Sequence, residues 1–246
     1  MGFAYIDRIR ELIDRVEDEE APNMQDCVCV LADAILGKHS IYIFGASHAG
    51  ILAQESFYRA GGLMPITPIW AREVLVDREP ITLTSEMERC VGYGTTIAKA
   101  YPMKRGDVLI VHSVSGRNPV AIEIAIAARE VGMTVIGITN LAYSRTVSSR
   151  HPLGKNMYEF CDIVLDNHGD IGDACVDIAG TGQKAAPTST VIGVLMLNAI
   201  YAETANELVR RGVLAPPVFC SANVDGGDEM NRRLLGEYAD WINYRY

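Results

Sequence analysis

Ile41–Gly62, IYIFGASHAGILAQESFYRAGG, changes its hydrophobic period once, at a glycine. Ile41, Tyr42, Ile43 and Phe44 form the continuous apolar run required of a strand buried on both faces, and Gly45 ends it. Ala46, Ser47, His48 and Ala49 are small or polar. From Gly50 the pattern turns helical until Gly61 and Gly62 stop it. Strand, tight turn, helix is the reading. Such a turn leaves free backbone N–H groups and a helix dipole at the carboxyl end of a strand, where an anion or polar ligand can be held. The spacing is not that of a dinucleotide fingerprint, which needs three glycines and a downstream acid.

The same order recurs outward from this unit. Leu63–Trp70 is apolar but interrupted by Pro65 and Pro68, which predicts an irregular strand near an edge. A helix is expected from Thr84 and Ser85 towards Ala100, with Ser85 and Glu88 spaced as a capping box. Val108–His112 is a strong strand that runs into Ser113-Val114-Ser115-Gly116-Arg117-Asn118-Pro119 and a helix to about Val131. Thr134–Thr139 and Asp162–Leu165 are further strands, and Asn140–Asn156 between them is polar. This alternation predicts a parallel sheet covered by helices on both faces. Residues 167–186, rich in Gly and Asp, read as a loop. Ala186-Pro187-Thr188-Ser189-Thr190 then opens what reads as the longest and most apolar helix, ending near Arg211. Before the sheet, residues 3–20 and 24–36 read as two helices separated at Ala21-Pro22, and a last helix spans about 229–242.

With 246 residues and 49% hydrophobic content, the chain can bury a sizeable core. A net charge of −9 and no Lys/Arg cluster along the sequence argue against a nucleic-acid partner. No apolar run reaches the roughly 18 residues of a membrane span, and the charged N-terminus is not signal-like, so a cytoplasmic protein is expected. The six cysteines are scattered and read as reduced, mostly buried thiols, not as metal or disulfide partners. A metal site at His168, Asp170 and Asp173 has irregular spacing and little support. No cofactor is implied.

Three polar elements should converge at one end of the sheet: the Gly45–His48 turn, the Ser113–Asn118 turn and the Thr188–Thr190 helix start. None carries the lysine of a nucleotide P-loop, so one phosphate on a small molecule is the expected ligand. The segments IYIFGASHAG, VLIVHSVSGRN, VIGITN and APTST resemble, in order and spacing, the sugar isomerase (SIS) domain family over about residues 37–212. Within it the chain is similar to proteins whose names borrow from phosphoheptose isomerase. The resemblance implies a three-layer α/β sandwich with a five-stranded parallel sheet, flanked here by helical extensions at 1–36 and 213–246. It also implies a phosphosugar ligand and a homodimer or homotetramer whose subunits share the site. Carried onto this sequence, it makes Ser113, Ser115 and Asn118 the phosphate turn, with Ser47 and Ser189 as sugar or phosphate contacts.

Aldose–ketose isomerisation moves a proton between adjacent carbons through an enediol, and needs a base and an acid. His48, inside the first turn, is the leading candidate, with Glu55 two turns along the same helix and Glu86 as the carboxylates. Glu88 is expected to be taken up as a cap. His112 is a further candidate, while His151 and His168 read as ordinary exposed loop histidines. Phosphoheptose isomerases carry a glutamate near a Tyr-Gly pair, where this chain has Tyr93-Gly94 followed by Thr95. They also carry a late-helix histidine that has no counterpart between Thr188 and Arg211, and both departures argue against a heptose substrate. A lyase or deaminase acting on an amino-sugar phosphate would use the same proton abstraction. A non-catalytic sugar-phosphate sensor would instead have a phosphate turn with no carboxylate or imidazole nearby.

Overall fold

The computed structural model describes residues 2–77 and 79–244. Helix α1, Ala4–Leu36, leads to β1, Ile41–Gly45, then a 3-10 turn, Ser47–Gly50, and the short α2, Ile51–Ser56. Edge strand β2, Ile66–Pro68, precedes α3, Thr82–Glu88, and α4, Tyr93–Lys99. Next come β3, Val108–His112, α5, Pro119–Val131, β4, Thr134–Thr139, α6, Leu141–Thr146, and β5, Ile163–Asp166. A hairpin, β6 Ala174–Ile178 with β7 Gln183–Pro187, then leads to α7, Ser189–Arg210, and α8, Gly227–Tyr238.

Five strands form one parallel sheet in the order β2-β1-β3-β4-β5. The fold is the expected three-layer α/β sandwich, and the two-proline segment supplies an edge strand as its missing N–H groups require. β1 and β3 are buried at every position, the signature of strands covered on both faces. One core layer joins α1, α2 and α7 to the sheet through Leu12, Val16, Leu31, Ile43, Ile110 and Ile192. The other packs α5 on the opposite face through Phe44, Val111, Val120 and Ile124. The chain reverses winding direction between β1 and β3, the switch point at which a sheet of this kind forms its ligand crevice, beyond the strand carboxyl ends.

Several expectations are corrected. The two N-terminal helices are one, because α1 runs through Pro22 for 33 residues, which also makes it longer than the 22-residue α7. Packing of its apolar stripe against the sheet and α7 outweighs the lost backbone bond. The helix after the first turn stops at Ser56, with Phe57 extended, well before Gly61. The Thr84–Ala100 helix is two, broken where Gly92 adopts a left-handed φ of 89°. Residues 174–187 are not a loop but an exposed antiparallel hairpin, and Pro187 closes its second strand instead of opening α7. Of the cysteines, only Cys27 is fully buried, and Cys90 is exposed.

The C-terminal segment lies at the opposite end of the sheet from the crevice. Asn243 Nδ2 donates to Ser40 Oγ at 2.7 Å and Tyr42 Oη at 2.9 Å, tying the tail to the amino end of β1. Among the described residues no helix is long and apolar enough to cross a membrane.

Candidate functional site

Gly45 and His112 are register partners at the ends of β1 and β3, so the turns that follow them face each other across the switch point. The first turn folds back tightly over its own strand. A Cβ at Gly45 would stand 2.2 Å from the Ala49 carbonyl oxygen, so only glycine lets the 3-10 turn sit there. Ser47 occupies a left-handed φ of 56°, and His48 is exposed. Beneath them His112 is buried; its Nδ1 donates to the Ala49 carbonyl at 3.2 Å, which fixes the tautomer and leaves the Nε2 lone pair without a partner among the described residues. Burial pulls the imidazole pKa down to about 4, against the opposing effects of the Ala49 carbonyl and Asp173.

The second turn, Ser113–Asn118, ends at the N-terminus of α5, with Pro119 pre-set at its first position. Ser113 and Ser115 are half-buried, and neither hydroxyl is engaged by another described residue. Asn118 does not cap its own helix. Its Nδ2 donates to Glu88 Oε2 at 2.6 Å, and its Oδ1 accepts from Arg150 Nη1 at 2.8 Å. Arg117 donates to the Ser148 carbonyl, and the Arg150 amide donates to the Arg117 carbonyl, so residues 148–150 lie along the turn. Burial first, then the nearby charges of Arg117 and Arg89, lower the Arg150 pKa. Three arginines separated by up to 61 positions in sequence thus share one neighbourhood. The sequence shows no such cluster, because folding alone brings Arg89, Arg117 and Arg150 together. Neutral hydroxyls, a helix N-terminus and three guanidiniums form an arrangement that can hold an anion.

Glu88 is the residue that sequence reasoning misplaced. Helix α3 starts at Thr82, not at Ser85, so no capping box forms, and Glu88 reaches the second turn from the last turn of its helix. Burial raises the Glu88 carboxyl pKa, opposed by the Asn118 hydrogen bond and the charges of Arg89, Arg150 and His48. Glu86, two positions earlier and so on the far side of the helix, is exposed. Glu55 sits in the last turn of α2, ion-paired with Arg59. Because α2 is so short, Glu55 lies where the chain leaves for the Phe219 and Cys220 region, which Arg59 also lines.

Ser189 is committed elsewhere. Its hydroxyl donates to Asp173 Oδ2 at 2.7 Å, and the same carboxylate accepts the backbone N–H groups of Thr188 and Ser189 at 3.1 and 2.9 Å. The N-terminus of α7 therefore already holds an anion, Asp173, supplied by the loop before the hairpin. Asp173→Ala is expected to cost about 1–2 kcal/mol of stability, the range of a lost helix cap, as a lowered midpoint in urea unfolding.

Neither loop histidine is exposed as expected. His151 packs over the buried Glu123, 3.6 Å from its carboxylate, which in turn accepts the Gly92 and Thr95 N–H groups that start α4. His168 is buried with Nε2 3.1 Å from the buried Glu20 of α1, a contact that helps dock the long helix. With Asp170 on Arg8 and Asp173 on Ser189, these side chains are occupied, and no metal-ligating cluster is found among the described residues.

Residues 4–140 match the SIS domain family. A UPF0309 protein of Shouchella clausii is 46% identical over 98% of this chain and 97% of its own length. A second UPF0309 protein, from Oceanobacillus iheyensis, is 43% identical over the same shares. Among solved structures, a phosphoheptose isomerase from Francisella tularensis superimposes with a TM-score of 0.56 at 14% identity, over 82% of this chain and 94% of that one. A phosphoheptose isomerase from Neisseria gonorrhoeae gives a TM-score of 0.51 at 17% identity, over 84% and 96%. At these identities the structural likeness speaks for the fold alone.

Proposed function

Because this chain belongs to the SIS domain family, we propose that it binds a phosphorylated sugar or amino sugar at the β1/β3 switch point and interconverts aldose and ketose forms through an enediol. The observation that carries this reading is the gathering of Arg89, Arg117 and Arg150 about the turn that bears the unengaged Ser113 and Ser115 hydroxyls, in a chain of net charge −9. A cationic cluster on an acidic protein selects for a small anion rather than a polyanion. Ser113, Ser115, Asn118 and the N-terminal amides of α5 hold the phosphate. Ser47 and His48, on the facing turn, meet the sugar, with His48 as the base that takes the proton next to the carbonyl. An imidazole and a carboxylate beside the turn support catalysis over a purely sensory role.

Ser115→Ala is expected to weaken sugar-phosphate binding tenfold or more in calorimetric titration, since a hydrogen bond to a charged group contributes about 1.5–3 kcal/mol. Unchanged affinity would remove the turn from the site. The chemistry is read by proton NMR in deuterium oxide with a panel of aldose and ketose phosphates. Exchange of the hydrogen next to the carbonyl is expected in the wild type and lost in His48→Ala. Tight binding without exchange across the panel would leave a sensor.

The site is proposed to work in a homodimer or homotetramer. An apolar groove of about 330 Å³ between α1 and α7, lined by Ile13, Met24, Val28, Leu195 and Ala199, supports contact with a second copy. Light scattering showing a stable monomer at micromolar concentration would exclude it.

A further inference from the structure

Glu88 places a negative group on the donors that an incoming anion would use. Its carboxyl faces Arg89 on its own helix, Asn118 at the N-terminus of α5, Arg150 on the segment after α6, and His48 in the first turn. Asn118 is held on its other side by Arg150, so an anion seated on Ser113–Asn118 shares Asn118 and both arginines with Glu88. A like charge close by disfavours the ionised form of a carboxylate, and the relief open to it is to take up a proton. Burial of Glu88 already pushes in that direction in the free protein.

We propose that Glu88 is the proton donor of this site, and that seating a phosphate dianion on the Ser113–Asn118 turn is coupled to uptake of one proton by its carboxyl. The inference rests on the phosphate-turn reading above and adds the acid that the reaction needs. The ligand's own phosphate keeps the acid loaded at neutral pH. In the first half-reaction His48 takes the proton from the carbon next to the carbonyl, the C–H pair becomes the C=C bond, and the Glu88 O–H proton passes to the carbonyl oxygen. A neutral enediol, an imidazolium and a carboxylate result. In the second half, Glu88 takes the proton of the neighbouring hydroxyl as the new carbonyl forms, and the imidazolium returns its proton to the former carbonyl carbon. Both groups finish as they began.

The test is calorimetric titration of the full chain with sorbitol 6-phosphate and ribitol 5-phosphate, which have no carbonyl and so cannot isomerise, at pH 8 in buffers of different ionisation enthalpy. A phosphate monoester has its second ionisation near 6 and is already a dianion there, so proton uptake belongs to the protein. Uptake of about one proton per site is expected in the wild type, with Kd rising about tenfold per pH unit between pH 8 and 9. Glu88→Gln, which keeps an acceptor for Asn118, is expected to bind at least as tightly with uptake near zero. His48→Gln is expected to retain the uptake, so the wild type and His48→Gln together separate the carboxyl from the imidazole even if Glu88→Gln folds poorly. Binding without uptake in the wild type would overturn the role of Glu88 while leaving the phosphate turn standing. Uptake that survives Glu88→Gln and vanishes in His48→Gln would assign the proton to the imidazole. Failure of every sugar phosphate to bind the wild type would overturn the phosphate turn itself, and this inference with it.

Discussion

Replacing Gly45 by alanine is expected to lower stability by about 3 kcal/mol or more, and to abolish ligand binding at the crevice. The new methyl carbon would stand 2.2 Å from the Ala49 oxygen, 2.4 Å from its carbonyl carbon and 2.8 Å from the Gly50 nitrogen. All three are backbone atoms, so no rotamer change relieves the contact, and overpacking of this kind costs about 1–3 kcal/mol and occasionally more. The 3-10 turn must lift off the end of β1. That movement shifts Ser47 and His48, and it withdraws the Ala49 carbonyl from His112, adding an unpaired buried N–H to the steric cost. A protein of this size loses roughly 2–4 °C of Tm per kcal/mol, so the fall should be on the order of 10 °C. Gly236→Ala on α8 is the matched control, because nothing lies within 4 Å of its added methyl and helix propensity favours alanine. A Gly45→Ala protein within 1 °C of the wild type would show that the turn is not held as described.

The parts of this molecule that were legible in the sequence are those where one residue type answers to one local force. Ile41–Phe44, Val108–Val111 and Val135–Ile138 announce buried strands because backbone and side chain are both sequestered there, and Pro65 and Pro68 announce an edge because they cannot donate to a neighbour. Pro22 misled for the same reason: it argues locally against helix, yet the core made by Leu12, Val16, Leu31 and Ile35 holds α1 through it. The hairpin at 174–187 offered no periodicity to read, since its strands are largely exposed and their side chains answer to no common face. The place of the Ser113–Asn118 turn was readable because a polar turn between a buried strand and a helix has a fixed place in such a sheet. Glu88 was not, since a Ser-x-x-Glu spacing fits a cap equally well, and only the true start of α3 at Thr82 separates the two. The arginine cluster had no local signature at all. Arg89, Arg117 and Arg150 come from three different connections, and their neighbourhood exists only in three dimensions.

Acid is expected to destabilise the protein through His112. A free histidine has a pKa near 6.5, and the buried one in the folded chain is lowered to about 4, chiefly by burial. Between those values the unfolded chain binds a proton that the folded chain refuses, so stability is full above pH 6.5 and falls as pH drops towards 4. At about 1.4 kcal/mol per pKa unit, the loss amounts to about 3 kcal/mol by pH 4, and His112 is too buried for solvent screening to discount it. The cost is concentrated here because Nδ1 is already committed to the Ala49 carbonyl, and Nε2 has no acceptor among the described residues to receive an added proton. Urea unfolding at pH 7, 5.5 and 4.5 reads this directly. The wild type should lose most of that stability across the series, and His112→Gln, which does not titrate, should lose about 2 kcal/mol less between pH 7 and 4.5, whatever its stability at pH 7. Parallel losses in the two proteins would mean that carboxylates elsewhere carry the acid limb. The same geometry keeps the imidazole neutral through the physiological range, so beneath the two turns it is a buried acceptor whose state does not change.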